Sequence, residues 1–172
     1  MALIISQYQP DSTVLRLQTC LGNDIDNEQF KFMSNFELAQ CNIFEEDYPA
    51  AVFKGQPTAI YNCHGMTFAS KRTGIYEEAE LLKILIDDNY VEIRELKDVL
   101  PGDIVLYYED NKITHSGTVC RIEESVANYD LRHIFVISKW SKHKEVVHNV
   151  NYSPYSSGLK RYWRINHGFK II

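Results

Sequence analysis

The second half of the chain is built from short runs of alternating apolar and polar residues, while the first half carries the helical spacings. Residues 76–88, YEEAELLKILIDD, place Leu81, Leu82, Leu85 and Ile86 on one stripe behind a glutamate-rich first turn. That arrangement predicts an amphipathic helix whose acidic start complements its dipole. After Asn89 the pattern shortens to β-rich runs at 90–93, 104–108, 113–122, 133–139 and 145–150, with 159–165 (LKRYWRI) as a further strand. Turn signals at LPGD (100–103) and EDNK (109–112) separate them, the second a hairpin loop with Asn111 where positive φ is tolerated. This succession predicts an antiparallel meander. Upstream, Met66, Phe68 and Ala69 follow a polar cap at Asn62, which predicts a helix over 63–71. Residues 30–39 show weaker helical spacing, 2–6 and 13–17 read as short strands, and LGNDIDNEQ reads as a polar loop. Helices first and a sheet afterwards make the expected class α+β.

Composition narrows the function classes. At 172 residues, 45% hydrophobic and 24% charged, the chain matches an ordinary globular domain, and a single domain over residues 1–172 is expected. Eighteen Lys and Arg stand against 23 Asp and Glu, for a net charge of −5. With no basic stripe interleaved with aromatics, nucleic acid is not the expected partner. No apolar run is long enough to cross a bilayer, and the opening MALIISQYQPDS lacks the regions of a secretion signal. The expected location is the cytoplasm, with export by a dedicated machine compatible with it. Cysteines stand at 20, 41, 63 and 120 without a CxxC or CxH pair, which argues against a structural zinc site with local ligand pairs; no metal and no organic cofactor is expected. Cys20, Cys41 and Cys120 are expected to be structural, Cys120 packing opposite Val119 in a strand.

Cys63 differs from the other three because it opens a helix. The positive end of the helix dipole favours thiolate over thiol there, and the expected pKa falls toward neutral. His115, in ITHSGTV, stands at the mouth of a β run, where an imidazole can act as a general base toward a thiol. The two lie 52 residues apart, so only the fold can unite them.

The string YNCHGMTFA, a helix, LPGDIVLYYED and ITHSGTV resembles, in order and spacing, the NlpC-like cell-wall peptidases and CHAP-type amidases, which are minimal papain-like cysteine hydrolases. The resemblance covers residues 61–119 well and 134–155 more loosely, and omits 1–50. It implies a helix-borne cysteine packed on a small antiparallel sheet, with a catalytic core over 61–155 and an N-terminal extension over 1–50. It further implies Cys63 as nucleophile and His115 as general base, cleaving a peptide or amide substrate through a thioester. The orienting third residue falls to His148, which can accept the ring N–H of His115, while strand order also admits Ser138 or Lys139. Two departures stand out: His64 follows the cysteine where the family has Ser or Gly, and the third polar residue is not obvious, although SKW…H followed by SPY (153–155) resembles a recurring third motif of uncharacterised relatives. A deamidase or acyltransferase using the same dyad, or a non-catalytic peptide-binding module on the same fold, are the alternatives.

Around this pair, the backbone N–H of Cys63 is the expected oxyanion donor, with Tyr61, Asn62 or Gln56 as the second. His64 is expected to point away from Cys63, and Asp103 to cap its turn. Lys139, Lys142, His143 and Lys144 read as a solvated basic loop, and Trp140 as a half-exposed packing residue.

Overall fold

The computed structural model describes residues 12–124 and 132–166. Its elements are β1 (Ser12–Thr13), β2 (Gln29–Phe30), α1 (Asn35–Asp47), β3 (Val52–Lys54), α2 (Cys63–Phe68), α3 (Glu78–Asp87), β4 (Tyr90–Ile93), β5 (Ile104–Glu109), β6 (Lys112–Glu124), β7 (Arg132–Lys139), β8 (Glu145–Asn149) and β9 (Leu159–Ile165). This is an α+β chain built on a seven-stranded antiparallel sheet of order β3-β8-β7-β6-β5-β9-β4. β5 to β8 form the expected meander. β9 departs from it by returning to the free edge of β5, where it also receives β4, while β3 closes the other edge on β8. The expected strand at 2–6 lies outside the described residues. Among the described residues no helix is long and apolar enough to cross a membrane.

β5 explains why the sheet has two layers. Ile104, Val105, Leu106 and Tyr107 are all buried, a continuous run that marks a strand covered on both faces. Ile104 and Leu106 join Leu81, Ile84 and Leu85 of α3 in one core, whereas Val105 and Tyr107 join Val119, Val136 and Tyr162 in another. The turn into β5 is held by Asp103, which accepts from the Leu100 N–H (2.6 Å) and from Arg164 Nε and Nη2 (2.6 and 2.7 Å). The hairpin between β5 and β6 turns on Asp110 and Asn111, both at positive φ, as a two-residue loop of twisted strands requires.

Two bulges interrupt β6. Tyr107 pairs with His115 but Tyr108 with Ile113, so Thr114 has no partner. Ile113 therefore enters the α3 core, while His115 turns to the other layer, against Tyr107 and Tyr155. Val119 pairs with Val136 and Arg121 with Phe135, leaving Cys120 unpaired. The expected packing role for Cys120 does not hold, because this bulge leaves its side chain exposed. Cys20 is likewise exposed, whereas Cys41 is buried in α1.

α1 begins later than the spacing over 30–39 predicts. Ser34 and Glu37 form a reciprocal capping box, a start signal written in the sequence as S-N-F-E. The helix rests Phe44 and Tyr48 on Trp140 with ring centroids 5.7 and 4.9 Å away, so Trp140 is fully buried and not half-exposed. The basic stretch from Lys139, the last residue of β7, to Lys144 is not the solvated loop expected of it. Lys139 and His143 are buried, and Lys142 and Lys144 pair with Glu37 and Glu45 of α1 at 2.7 Å each.

α2 is shorter than predicted because Ser70 and Lys71 take positive φ and stop it. Its start is clasped by Asn62, whose Oδ1 accepts from Gly65 N (2.8 Å) and Ile75 N (3.1 Å) while Nδ2 donates to the Ile75 carbonyl (2.6 Å). A Cβ on Gly65 would sit 1.7 Å from the Thr73 carbonyl oxygen, so only glycine lets the helix approach this backbone. Gly65→Ala is therefore expected to lower stability by about 2 kcal/mol through overpacking, read as a lower urea midpoint at unchanged m-value. A wild-type midpoint would show that the approach is not constrained.

Candidate functional site

Cys63 enters a cleft of about 610 Å³ at the start of α2, sharing its walls with His64, Tyr76, Tyr155, Glu28 and Lys142. The elements meet there because α2 packs across β6 and β7. Ser116, fully buried on β6, is the contact: its hydroxyl lies 2.9 Å from His64 Nδ1 and 3.0 Å from Thr67 Oγ1. Thr67 in turn donates to the Cys63 carbonyl at 3.0 Å. His64 is thus buried between helix and strand, contrary to the outward orientation expected of it.

Two opposing effects act on the Cys63 thiol. Hydrogen bonds from the backbone and hydroxyl of Ser116 and from the amides of His64 and Cys63 favour the thiolate, but desolvation is larger and pushes the thiol up to about 11. The expected shift toward neutral is reversed, because burial outweighs the helix dipole and the hydrogen bonds. At rest the side chain is a neutral thiol.

His115 is fully buried, and neither ring nitrogen has a hydrogen-bond partner among the described residues. Its ring stacks on Tyr155 at 3.9 Å with the planes 6° apart and meets Tyr107 at 5.2 Å. Tyr155 links the two candidates, since it stacks on His115 and lines the cleft that Cys63 enters. Burial, reinforced by His64 and His148, holds the His115 imidazole neutral far below the ordinary histidine range.

His148 does not orient His115 by the expected hydrogen bond. Its Nδ1 donates to the Asn149 carbonyl (2.8 Å), which leaves Nε2 to accept from the Ser138 hydroxyl (2.9 Å). Register accounts for this. Val136 pairs with His148 and Gly117 with Ser138, so Ser138 stands nearer to β6 and takes up the imidazole. Lys139 points to neither histidine ring: its Nζ donates to the His143 carbonyl and lies 4.8 Å from the Tyr61 ring centre.

Two of the three expected second oxyanion donors, Tyr61 and Asn62, are differently employed, and Gln56 is exposed. Tyr61 donates its hydroxyl to Glu145 at 2.7 Å, and the Asn62 amide is spent on clasping Ile75. Among the described residues no three His, Cys, Asp or Glu side chains converge on a metal-sized cluster. Ser116 and Tyr155 are the members that sequence reasoning missed. The i,i+4 spacing of Cys63 and Thr67 on one helix face hinted at the first; the second ends the SPY string at 153–155, in a loop far along the chain.

Three buried imidazoles make the site acid-sensitive. His64 and His148 are lowered to about 4 and His115 is held well below its ordinary value, all chiefly by desolvation. The unfolded chain therefore binds more protons than the folded one from about pH 6.5 down to 4. Stability is fully present above pH 6.5 and is lost as the pH falls, each histidine adding at most about 1.4 kcal/mol per pH unit. Urea midpoints at pH 7.0, 5.5 and 4.5 are expected to fall steeply, and His148→Gln to flatten the slope by about one histidine's share. A midpoint independent of pH in this window would show that the imidazoles are hydrated. No family model, curated protein or solved structure matches this chain.

Proposed function

We propose that the protein is a cysteine hydrolase of papain-like architecture, of the NlpC and CHAP type, that cleaves a peptide or amide bond through a thioester on Cys63. The carrying observation is His115, a fully buried imidazole with two unpartnered nitrogens on the residue before Ser116, which holds Cys63. An unsatisfied buried polar atom costs about 1–3 kcal/mol, and such a group is retained where a task requires its lone pair. The order of elements supports the same reading: a cysteine-bearing helix, a second helix, the PGD strand β5 and the HxG strand β6.

In this mechanism Cys63 and His115 begin as neutral thiol and imidazole. As substrate displaces water from the cleft, His115 takes the thiol proton and the sulfur attacks the carbonyl carbon. The C–N bond breaks, and the imidazolium returns its proton to the departing amine. Water, deprotonated by His115, then attacks the thioester, releasing the acid and restoring the thiol. Tyr155, stacked on the imidazole at the cleft wall, fixes the plane of the ring in the role expected of His148. His148 and Ser138 hold β7 to β8 and serve the site through the scaffold.

A non-catalytic peptide-binding module is the second reading, favoured by the thiol standing at about 11. An activated acyl ester separates the two without knowledge of the natural substrate. Because Cys20 and Cys120 are exposed, both are replaced by Ser, and acylation is followed by intact mass and peptide mapping. The hydrolase is expected to acylate at Cys63 and turn over. Cys63→Ala removes acylation, and His115→Ala slows it at least about 100-fold, the usual weight of a general base. Acylation of Cys63 no faster than that of buried Cys41 would establish the binding module instead.

A further inference from the structure

Cys63 is followed directly by His64, and both side chains line the same cleft. A chain of contacts ties this histidine to the sheet: His64 Nδ1 to the Ser116 hydroxyl at 2.9 Å, that hydroxyl to Thr67 Oγ1 at 3.0 Å, and Thr67 Oγ1 to the Cys63 carbonyl at 3.0 Å. Each hydroxyl has one proton to give. A carbonyl can only accept, so the Thr67 proton goes to Cys63 and the Ser116 proton goes to Thr67. None is left for His64, whose Nδ1 is therefore the donor to Ser116. The Ser116 hydroxyl also approaches the Cys63 sulfur, and giving its proton there would leave His64 the donor all the same. Burial holds the ring neutral, lowering it to about 4, so a proton on Nδ1 leaves Nε2 with a bare lone pair.

With Nδ1 turned onto β6, Nε2 is the nitrogen left for the cavity. Both nitrogens of His115 are sealed from solvent without a partner, but Nε2 of His64 is not, and its ring forms part of the cleft wall. Two other acceptors lining the cleft are engaged. Asn62 Oδ1 takes the amides of Gly65 and Ile75, and Glu37 takes Lys142 and the Ser34 amide. His64 thus offers a neutral acceptor, fixed by a helix and a strand, on the residue next to the nucleophile.

Resting on the hydrolase reading above, we propose that His64 is a specificity-determining residue whose Nε2 accepts a hydrogen bond from an amide N–H on the acyl side of the scissile carbonyl. The leaving nitrogen does not serve, because it must be open to the proton that His115 returns. The acyl-side N–H, by contrast, stays in the cleft from the first attack until the thioester is hydrolysed. The substrate class is accordingly a peptide cut on the carboxyl side of a residue with a free backbone N–H. A simple acyl group, or a residue alkylated on that nitrogen, leaves Nε2 unmatched. A polar site deprived of its partner discriminates more sharply than an apolar pocket missing a methylene.

The test compares two activated esters that differ in one group: the para-nitrophenyl ester of N-acetylglycine, and that of O-acetylglycolic acid, in which oxygen replaces the N–H. Acylation of Cys63 is followed by mass in the Cys20→Ser, Cys120→Ser background, each rate divided by that of the same ester with a small free thiol. The wild-type preference for the N–H ester is expected to be about tenfold, the weight of one hydrogen bond. His64→Asn keeps a donor at the place of Nδ1 for Ser116 and has nothing at that of Nε2, so it should lose the preference. His64→Gln returns an acceptor near Nε2 and should restore part of it. Equal rates with the two esters in the wild-type protein overturn the proposal, as does a preference that survives His64→Asn. So does a preference lost only in Glu28→Gln, whose carboxylate lines the same cleft. If His64→Asn does not fold, the tautomer decides: long-range proton–nitrogen NMR of the wild-type chain should find the His64 proton on Nδ1, and a proton on Nε2 overturns the proposal. Absence of acylation by either ester is the separate failure of the hydrolase reading, and takes this assignment with it.

Discussion

One residue too many in β6 decides which layer each candidate group enters. Along an unbroken strand Ile113 and His115 would share a face, because side chains alternate with a period of two. The unpaired Thr114 separates them, sending Ile113 to the α3 core and His115 to the layer of Tyr107 and Tyr155. Ser116 then falls beneath α2. Consecutive residues of a single strand thus serve two layers, Ser116 holding α2 and His115 entering the layer of Tyr107 and Tyr155. Bulges are a recurrent means of re-aiming a side chain beside a site, and here the local kink costs one pairing in the ladder.

Burial is the second governing constraint, and it outweighs the electrostatic preorganisation of the short helix. The amides at the start of α2 and the Ser116 hydroxyl all favour a thiolate, yet the withdrawn sulfur remains protonated. The same desolvation keeps His64, His115 and His148 neutral and depresses Lys139. The arrangement sacrifices stability at His115, whose two buried ring nitrogens have no hydrogen-bond partner among the described residues.

The cleft walls are assembled from segments remote in the chain. Glu28 bridges Gly74 through both its backbone groups at 3.0 Å, and the Phe30 and Tyr76 rings meet edge to face at 5.7 Å. Lys142 lies 4.4 Å from the Phe30 ring while pairing with Glu37. Individually these exposed or half-exposed contacts are weak. Together they bring the N-terminal segment and α1 to the mouth of the cleft that α2 and the sheet define.

The sequence alone determined the elements whose signals are local. The stripe of Leu81 and Leu85 marks α3, the period-two runs mark β4 to β9 with their ends at 90–93 and 159–165 placed to the residue, and Asp110-Asn111 marks the hairpin. The Ser34 and Glu37 capping box was equally legible, but the weak apolar spacing around it drew the helix too early. What tertiary structure alone decided is whatever depends on which groups leave water together. No local pattern reveals that Thr114 goes unpaired, that His148 answers to Ser138 and not to His115, or that Tyr155 covers the imidazole. Nor does it reveal that a stretch as basic as Lys139 to Lys144 is drawn into the interior by Trp140 and the glutamates of α1. Periodicity records the preference of each residue for one face, whereas pairing, protonation and burial are properties of groups that meet only when the chain has closed.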